Sequence, residues 1–294
     1  METAARLSGK PSYLVGIFMH YNPMWGLHHA FAHEILLGLG RRLGELGGDF
    51  VLFPEAWSRN PLDYLGNCRR RGVDGAILMG IDLASSQIKA LAESKLPCLF
   101  LDEDGSAYPG DNGYFIAWDH RQGIRQAVDY LYALGHRKIG LVEGLPNTYA
   151  SRNRTEAFRE RLADYGLPFR REWVAGDDFT RESGYYAMQA ILRCSERPTA
   201  VVCQSDAMAV GALSALKQAG LACPDDMSIV GYDDIEVSRH LTPALTTVRQ
   251  DTVLLGRLAA DTIVQGITGG GAPREQVLPV SLIVRDSCGR VEQG

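Results

Sequence analysis

The feature that most constrains this chain is an alternation, run through twice, of short apolar or β-branched segments with longer segments of helical periodicity. Strand-like runs lie at residues 13–19, 50–53, 76–79 and 98–101. Between them fall helical stretches at 29–46, where Ile35, Leu36, Leu39 and Leu43 recur at helix spacing, and at 85–94. The order then repeats, with strands expected at 138–143, 173–175, 200–203 and 228–232 and helices at 152–165, 184–192 and 207–219. Such alternation is the signature of parallel strands joined by crossover helices. It predicts an α/β fold of two doubly wound, parallel-sheet lobes around a ligand cleft, divided near residues 144–147. The chain then offers a helix at 253–265, a Gly-rich turn at 269–273 and a strand at 277–284, which would return to complete both sheets. The first lobe is therefore expected over 13–144 plus about 249–278, and the second over 145–248 plus about 279–290. Ligands of such sheets sit outside the carboxyl ends of the strands, and a hinged clamp is the expected device.

Composition narrows the function. With 294 residues, 46% of them hydrophobic and 22% charged, the chain has the make-up of a soluble protein of two ordinary domains. A formal net charge of −5 argues against this piece alone coating nucleic acid. Six cysteines are scattered without a Cys-x-x-Cys pair, which suggests neither a zinc site nor a disulfide framework and fits reduced thiols in a cytosol. The N-terminus lacks the apolar core of a signal peptide, and no stretch is long enough to cross a bilayer, so a cytoplasmic protein with no membrane partner is expected.

Catalytic and metal signatures are weak. His29 and His33 stand one helical turn apart beside Glu34, but position 37 is Leu, which breaks a His-Glu-x-x-His pattern, and no metal is expected. Gly38, Gly40 and Gly44 have the wrong spacing for a dinucleotide loop and read as close helix packing. There is no Gly-x-Ser-x-Gly elbow and no P-loop, and Asp102-Glu103-Asp104 reads as a solvated loop. The expectation is a protein that is not an enzyme and needs no cofactor.

Residues 198–247 carry a dense set of motifs: a Pro198-Thr-Ala-Val strand, Asp206-Ala-Met-Ala-x-Gly211, Gly220-x-x-x-Pro224, Gly231-Tyr232-Asp233-Asp234, and Pro243-Ala-Leu-Thr-Thr247. With Asp119-His120 and Gly123, Leu134-Gly135-His136-Arg137, Arg154-x-x-x-Phe158 and Val284-Arg285-Asp286-Ser287, this pattern resembles the LacI/GalR family of lactose and galactose repressors along essentially the whole chain. The resemblance implies a periplasmic-binding-protein-like fold of type I and the effector-binding and dimerisation core of a transcriptional repressor. It implies a homodimer that binds operator DNA through a helix-turn-helix lying outside this chain. In that family a hinge helix precedes the core, and Leu7, in Ala4-Ala5-Arg6-Leu7, stands at the spacing of its minor-groove leucine. Residues 1–12 are thus expected to be a hinge remnant or linker. An expressed fragment and a natural core-only protein both fit that reading.

Carried over position by position, the resemblance marks Arg154, Phe179 and Asp233 as ligand contacts. Their chemistry suits such contacts, offering a planar fork of donors, a flat apolar wall and an acceptor just past a strand end. The bland alternatives are an arginine on a solvated helix face, a core phenylalanine and an aspartate capping the next helix. Asp102 and Asp206 end matching strands of the two lobes and would face the same cleft, although Asp206 could instead cap the helix from Ala207. The first lobe would add Tyr21, Trp25 and Phe31, from a stretch longer and more aromatic than the family pattern, where lid or core roles fit as well as stacking. The expected small-molecule effector is a sugar, with a nucleoside or purine as the other class. A sugar-binding protein of a transport system is the alternative function.

Overall fold

Parallel strands covered on both faces need unbroken apolar runs, and the strands at 75–79, 98–101, 139–142 and 200–203 are such runs. The computed structural model describes residues 12–19, 30–54, 63–80, 86–105, 108–146 and 148–291. The chain forms two units. One runs through Ala117 and adds Asp251–Leu278; the other comprises Trp118–Gln250 and the residues from Pro279 onward.

The first unit is built from β1 (Tyr13–Met19), α1 (Ala30–Glu45), β2 (Gly48–Pro54), α2 (Tyr64–Arg71), β3 (Gly75–Met79), α3 (Ser86–Ala92), β4 (Cys98–Leu101) and β5 (Gly113–Trp118), with α8 (Thr252–Thr268) and β11 (Glu275–Leu278) returning from late in the chain. Its sheet has the order β11-β5-β4-β3-β1-β2. Ile17 pairs in parallel register with Leu52 on one side and Ile77 on the other. An aromatic group fills the core, with Phe18 stacked on Phe53 at 4.6 Å and Phe100 on Phe115 at 5.1 Å between ring centroids.

The second unit holds α4 (His120–Ala133), β6 (Ile139–Val142), α5 (Tyr149–Asp164), β7 (Val174–Ala175), α6 (Arg181–Leu192), β8 (Ala200–Cys203), α7 (Asp206–Gln218), β9 (Ser228–Asp233), β10 (Thr246–Arg249) and β12 (Ser281–Ile283). Its sheet order, β12-β10-β9-β8-β6-β7, has the same topology. In each sheet the first strand has the second on one side and the third on the other, which opens a crevice at its carboxyl end, between β1 and β3 and between β6 and β8. β12 closes the second sheet antiparallel to β10.

Side-chain caps fix the helix starts. Asp119 accepts from the Gln122 amide at 2.8 Å, Thr148 from Ser151 at 3.2 Å, Ser205 from Met208 at 3.2 Å and Asp251 from Leu254 at 2.9 Å. Ser205, rather than Asp206, is therefore the cap of α7.

Three expectations need correction. The units part between Ala117 and Trp118, not near residues 144–147, because α4 lies along α5 and against β10 and β12 and so belongs, with β6, to the second unit. The single strand expected at 277–284 is two strands, β11 and β12, one in each sheet. Pro279 stands between them, and without an amide hydrogen it cannot continue a ladder. Among the three glycines of α1, Gly38 meets the Val253 backbone and Gly40 the Phe50 ring, whereas Gly44 has nothing near it, so close packing explains only two.

Candidate functional site

The residues that leave the carboxyl ends of the second sheet are polar and converge. Glu143 and Gly144 follow β6, Gln204 follows β8, Asp233 ends β9 and Gln250 follows β10. Arg154, on the second turn of α5, is 3% exposed and reaches into this group. Its guanidinium lies over the Tyr232 ring, 3.7 Å from the centroid. Its Nε donates to His120 Nδ1 at 3.3 Å, one terminal nitrogen donates to the Gln204 carbonyl, and the other to Gln250 Oε1 at 3.4 Å. A buried cation on neutral acceptors, at the crevice between β6 and β8, can offer its fork to hydroxyl or carbonyl groups of a ligand.

Surrounding groups hold this arrangement. The Gln204 side chain accepts from the Gly144 amide at 3.0 Å and donates to Thr155 Oγ1 at 2.8 Å, and Thr155 donates to Glu143 at 2.9 Å. Gln250 Nε2 donates to Asp233 Oδ1 at 2.8 Å. His120 opens α4 behind the Asp119 cap, with Tyr232 Oη 3.4 Å from its Nδ1 and the Tyr149 ring edge-on to it at 5.8 Å. Phe179, on the loop into α6, has its ring against Gly144 and 6.0 Å from the Arg154 guanidinium carbon. A Cβ at position 144 would collide with that ring, so only glycine leaves Phe179 where it is.

Two consecutive aspartates occupy the left-handed region, Asp233 at φ 116° and Asp234 at φ 59°, which side chains other than glycine adopt at a cost. Polar anchors hold the turn. Burial would raise the Asp234 carboxyl, but hydrogen bonds from Arg285 and Arg249 outweigh it and keep the group below the usual carboxylate range. Asp206 is fully buried: its oxygens accept from the Ile235 amide at 3.0 Å, Ser238 Oγ at 2.6 Å and Thr247 Oγ1 at 2.6 Å. Burial pushes its pKa up to about 7 against those hydrogen bonds. Asp206 therefore ties the loop that carries Asp233 to β10, and the expectation that it faces a ligand is corrected.

The other expected contributors belong to the first unit. Asp102 follows β4 in the left-handed region, φ 58°, with its amide donating to the Ile116 carbonyl at 2.8 Å, and Phe31 is half-buried in the first turn of α1. Tyr21, Trp25 and Leu7 lie outside the described residues, as does His29 of the metal pattern; its companion His33 is exposed. Among the described residues no group of three or more His, Cys, Asp or Glu side chains could hold a metal. Gln204, Gln250, His120 and Tyr232 escaped the sequence reading as site residues. The signal that could have found the two glutamines is their place one residue beyond a parallel strand.

A doubly wound topology used twice, with a buried arginine and acceptors at the carboxyl-end crevice, defines a periplasmic-binding-protein-like effector core. Residues 128–288 match the family described as a periplasmic binding protein-like domain. Over 290 residues the chain is 29% identical to the probable HTH-type transcriptional repressor ExuR of Bacillus subtilis (strain 168), covering 98% of this chain and 84% of that protein. The solved complex of the transcriptional regulator CelR with cellobiose superposes with a TM-score of 0.85 at 31% identity, over 97% of this chain and 88% of that one. A lac repressor dimer bound to operator and the anti-inducer ONPF gives 0.83 at 29% identity, over 97% of each chain. The chain belongs to the LacI family of transcriptional repressors and comprises the effector-binding core. These relatives are regulators rather than enzymes, which favours a repressor core over a transport binding protein. No helix among the described residues is long and apolar enough to cross a membrane.

Proposed function

We propose that this chain senses a small carbohydrate and passes its occupancy to operator binding, as the core of a homodimeric repressor working in the cytoplasm. The observation that carries the reading is the row Arg154–Gln250–Asp233 beside the rings of Tyr232 and Phe179. It sets donors and an acceptor next to flat apolar faces, as a hydroxyl-bearing ring requires. The cellobiose bound to CelR and the operator bound to the lac repressor dimer support the two halves of the proposal. Arg154 and Asp233 grip the ligand, Phe179 walls it, and Asp102, Phe31, Tyr21 and Trp25 contribute from the first unit. DNA contact belongs to a helix-turn-helix of the kind named for ExuR, with Leu7 in the hinge. The ligand shifts operator affinity by the factor by which it prefers one state of the protein, and the operator shifts ligand affinity equally.

The test is a thermal-shift screen of pentoses, hexoses, disaccharides, polyols, nucleosides and purines. A ligand of the folded state alone raises stability by RT ln(1 + [L]/Kd). A saturable shift with a sugar, lost in Arg154→Ala, is expected. A shift with purines alone would replace the ligand class, and no shift with any class would overturn small-molecule sensing.

A further inference from the structure

Gln250 has a place in the site that its neutral side chain explains. Its amide stands between a guanidinium and a carboxylate: Oε1 accepts from Arg154 at 3.4 Å and Nε2 donates to Asp233 Oδ1 at 2.8 Å. The two charges fix which end of the amide points where, since the reverse orientation would set a donor against the arginine and an acceptor against the aspartate. Gln250 is 3% exposed and its backbone follows β10, which pairs with β9 in parallel register, Arg249 opposite Asp233. A rigid ladder thus holds both ends of the row.

Opposite charges attract strongly where water is scarce, and a direct Arg154–Asp233 ion pair would consume the donors and the acceptor that a ligand needs. The amide satisfies one hydrogen-bonding position on each group and keeps the two charges a side chain apart. We propose that Gln250 is a positioning residue, a neutral spacer that keeps the site's cation and anion from closing on each other. The proposal rests on the reading of Arg154 and Asp233 as ligand contacts.

Two measurements on the full chain test it: ligand-free crystal structures of the wild type and of Gln250→Ala, and calorimetric titration of each with cellobiose and with D-glucose. In Gln250→Ala the guanidinium is expected to leave the Tyr232 ring and the Gln204 carbonyl and to pair directly with Asp233. Affinity for whichever sugar binds the wild type is expected to fall about tenfold, the worth of a charge-assisted hydrogen bond. Gln250→Glu keeps side-chain volume should the alanine variant fail to fold. It retains the acceptor toward Arg154 but faces Asp233 with a second carboxylate, so it also weakens binding. Adding Asp233→Asn to it restores a donor opposite the new carboxylate and is expected to return the row to its wild-type geometry, a rescue that a merely structural role would not give. An unmoved guanidinium in Gln250→Ala, or unchanged affinity, would overturn the proposal. If neither sugar binds the wild type, that outcome counts against the sugar reading alone, and the ligand-free structures decide the role of Gln250.

Discussion

The two units share one topology and fill it differently. A core cluster of the first packs Phe18, Phe53, Tyr64, Phe100, Tyr108 and Phe115 together, whereas one of the second packs small and flexible residues such as Ala187, Met188, Ala209, Ala212 and Met208, and the large buried rings Phe158, Trp173 and Tyr232 lie outside it. Both nevertheless bring one helix pair together by the same device. In the first, Gly38 of α1 faces the Val253 backbone and Gly256 of α8 faces the Ile35 backbone; in the second, Gly184 of α6 faces Met208 and Gly211 of α7 faces Arg181. The lesson is that core identity is negotiable while backbone approach is not. Residues of the right volume can be exchanged in a core, but a Cβ placed against a carbonyl has nowhere to go. At the carboxyl ends of its strands the second unit gathers a hydrogen-bonded polar group around Arg154; the described residues at those ends in the first include Met19, Met79 and Asp102.

The largest expected effect tests the shared device. Gly38→Val and Gly211→Val should each lower stability by about 3 kcal/mol, because overpacking at a backbone contact forces the helices apart. Denaturant unfolding of both variants checks this, and tolerance of either would break the parallel. Next comes the asymmetry of the site. Arg154→Ala should weaken effector binding about 100-fold, since it removes several charge-assisted hydrogen bonds at once, whereas Asp102→Asn should cost about tenfold. Calorimetry on both variants measures the ratio, and a larger loss at Asp102 would shift the weight to the first unit.

A smaller effect separates the two buried aspartates by pH. Asp206 is raised from 3.8 to about 7 by burial, so between those values the folded state holds a proton that the unfolded state lacks. Its contribution to stability therefore falls as pH rises through that window and is level above it. Asp234 is lowered, so its contribution is present above the ordinary carboxylate range and is lost as pH falls toward its folded value. Asp206→Asn should flatten the slope between pH 4 and 7 while costing about 2 kcal/mol in mismatched hydrogen bonds, read from unfolding midpoints across pH. The smallest change is at the aromatic wall. Phe179→Leu should lower ligand affinity about fivefold, the worth of ring stacking beyond burial, and Phe31→Leu less, by the same titration.

Much of the molecule was legible from the chain alone. The apolar runs of β4, β6 and β8 are buried throughout and that of β3 as far as Leu78, and a run of four or five β-branched or apolar residues between helical stretches allows few other readings. β10, only four residues of a Thr-rich segment, lacks an apolar run and emerges only from pairing, whereas β5 is a six-residue apolar run that falls outside the alternation because, among the described residues, no α-helix separates it from β4. Arg154, Phe179 and Asp233 stood out by family pattern, and the structure sets Arg154 against the Tyr232 and Phe179 rings and joins it to Asp233 through Gln250.

What the sequence by itself determined is local and periodic: which segments are strands and helices, that the strands run parallel, and which stretches carry the family's motifs. These follow from side-chain period and backbone propensity, which act over a few residues. Tertiary structure alone decided where the units part, that β11 and β12 on either side of Pro279 join different sheets, that Asp206 is a buried anchor, and that Gln250 stands between Arg154 and Asp233. Such features depend on partners well apart in the chain, 29 positions for Asp206 with Ile235 and 96 for Arg154 with Gln250. Such contacts form only once sheet register and helix packing have fixed both ends, and no local pattern encodes them.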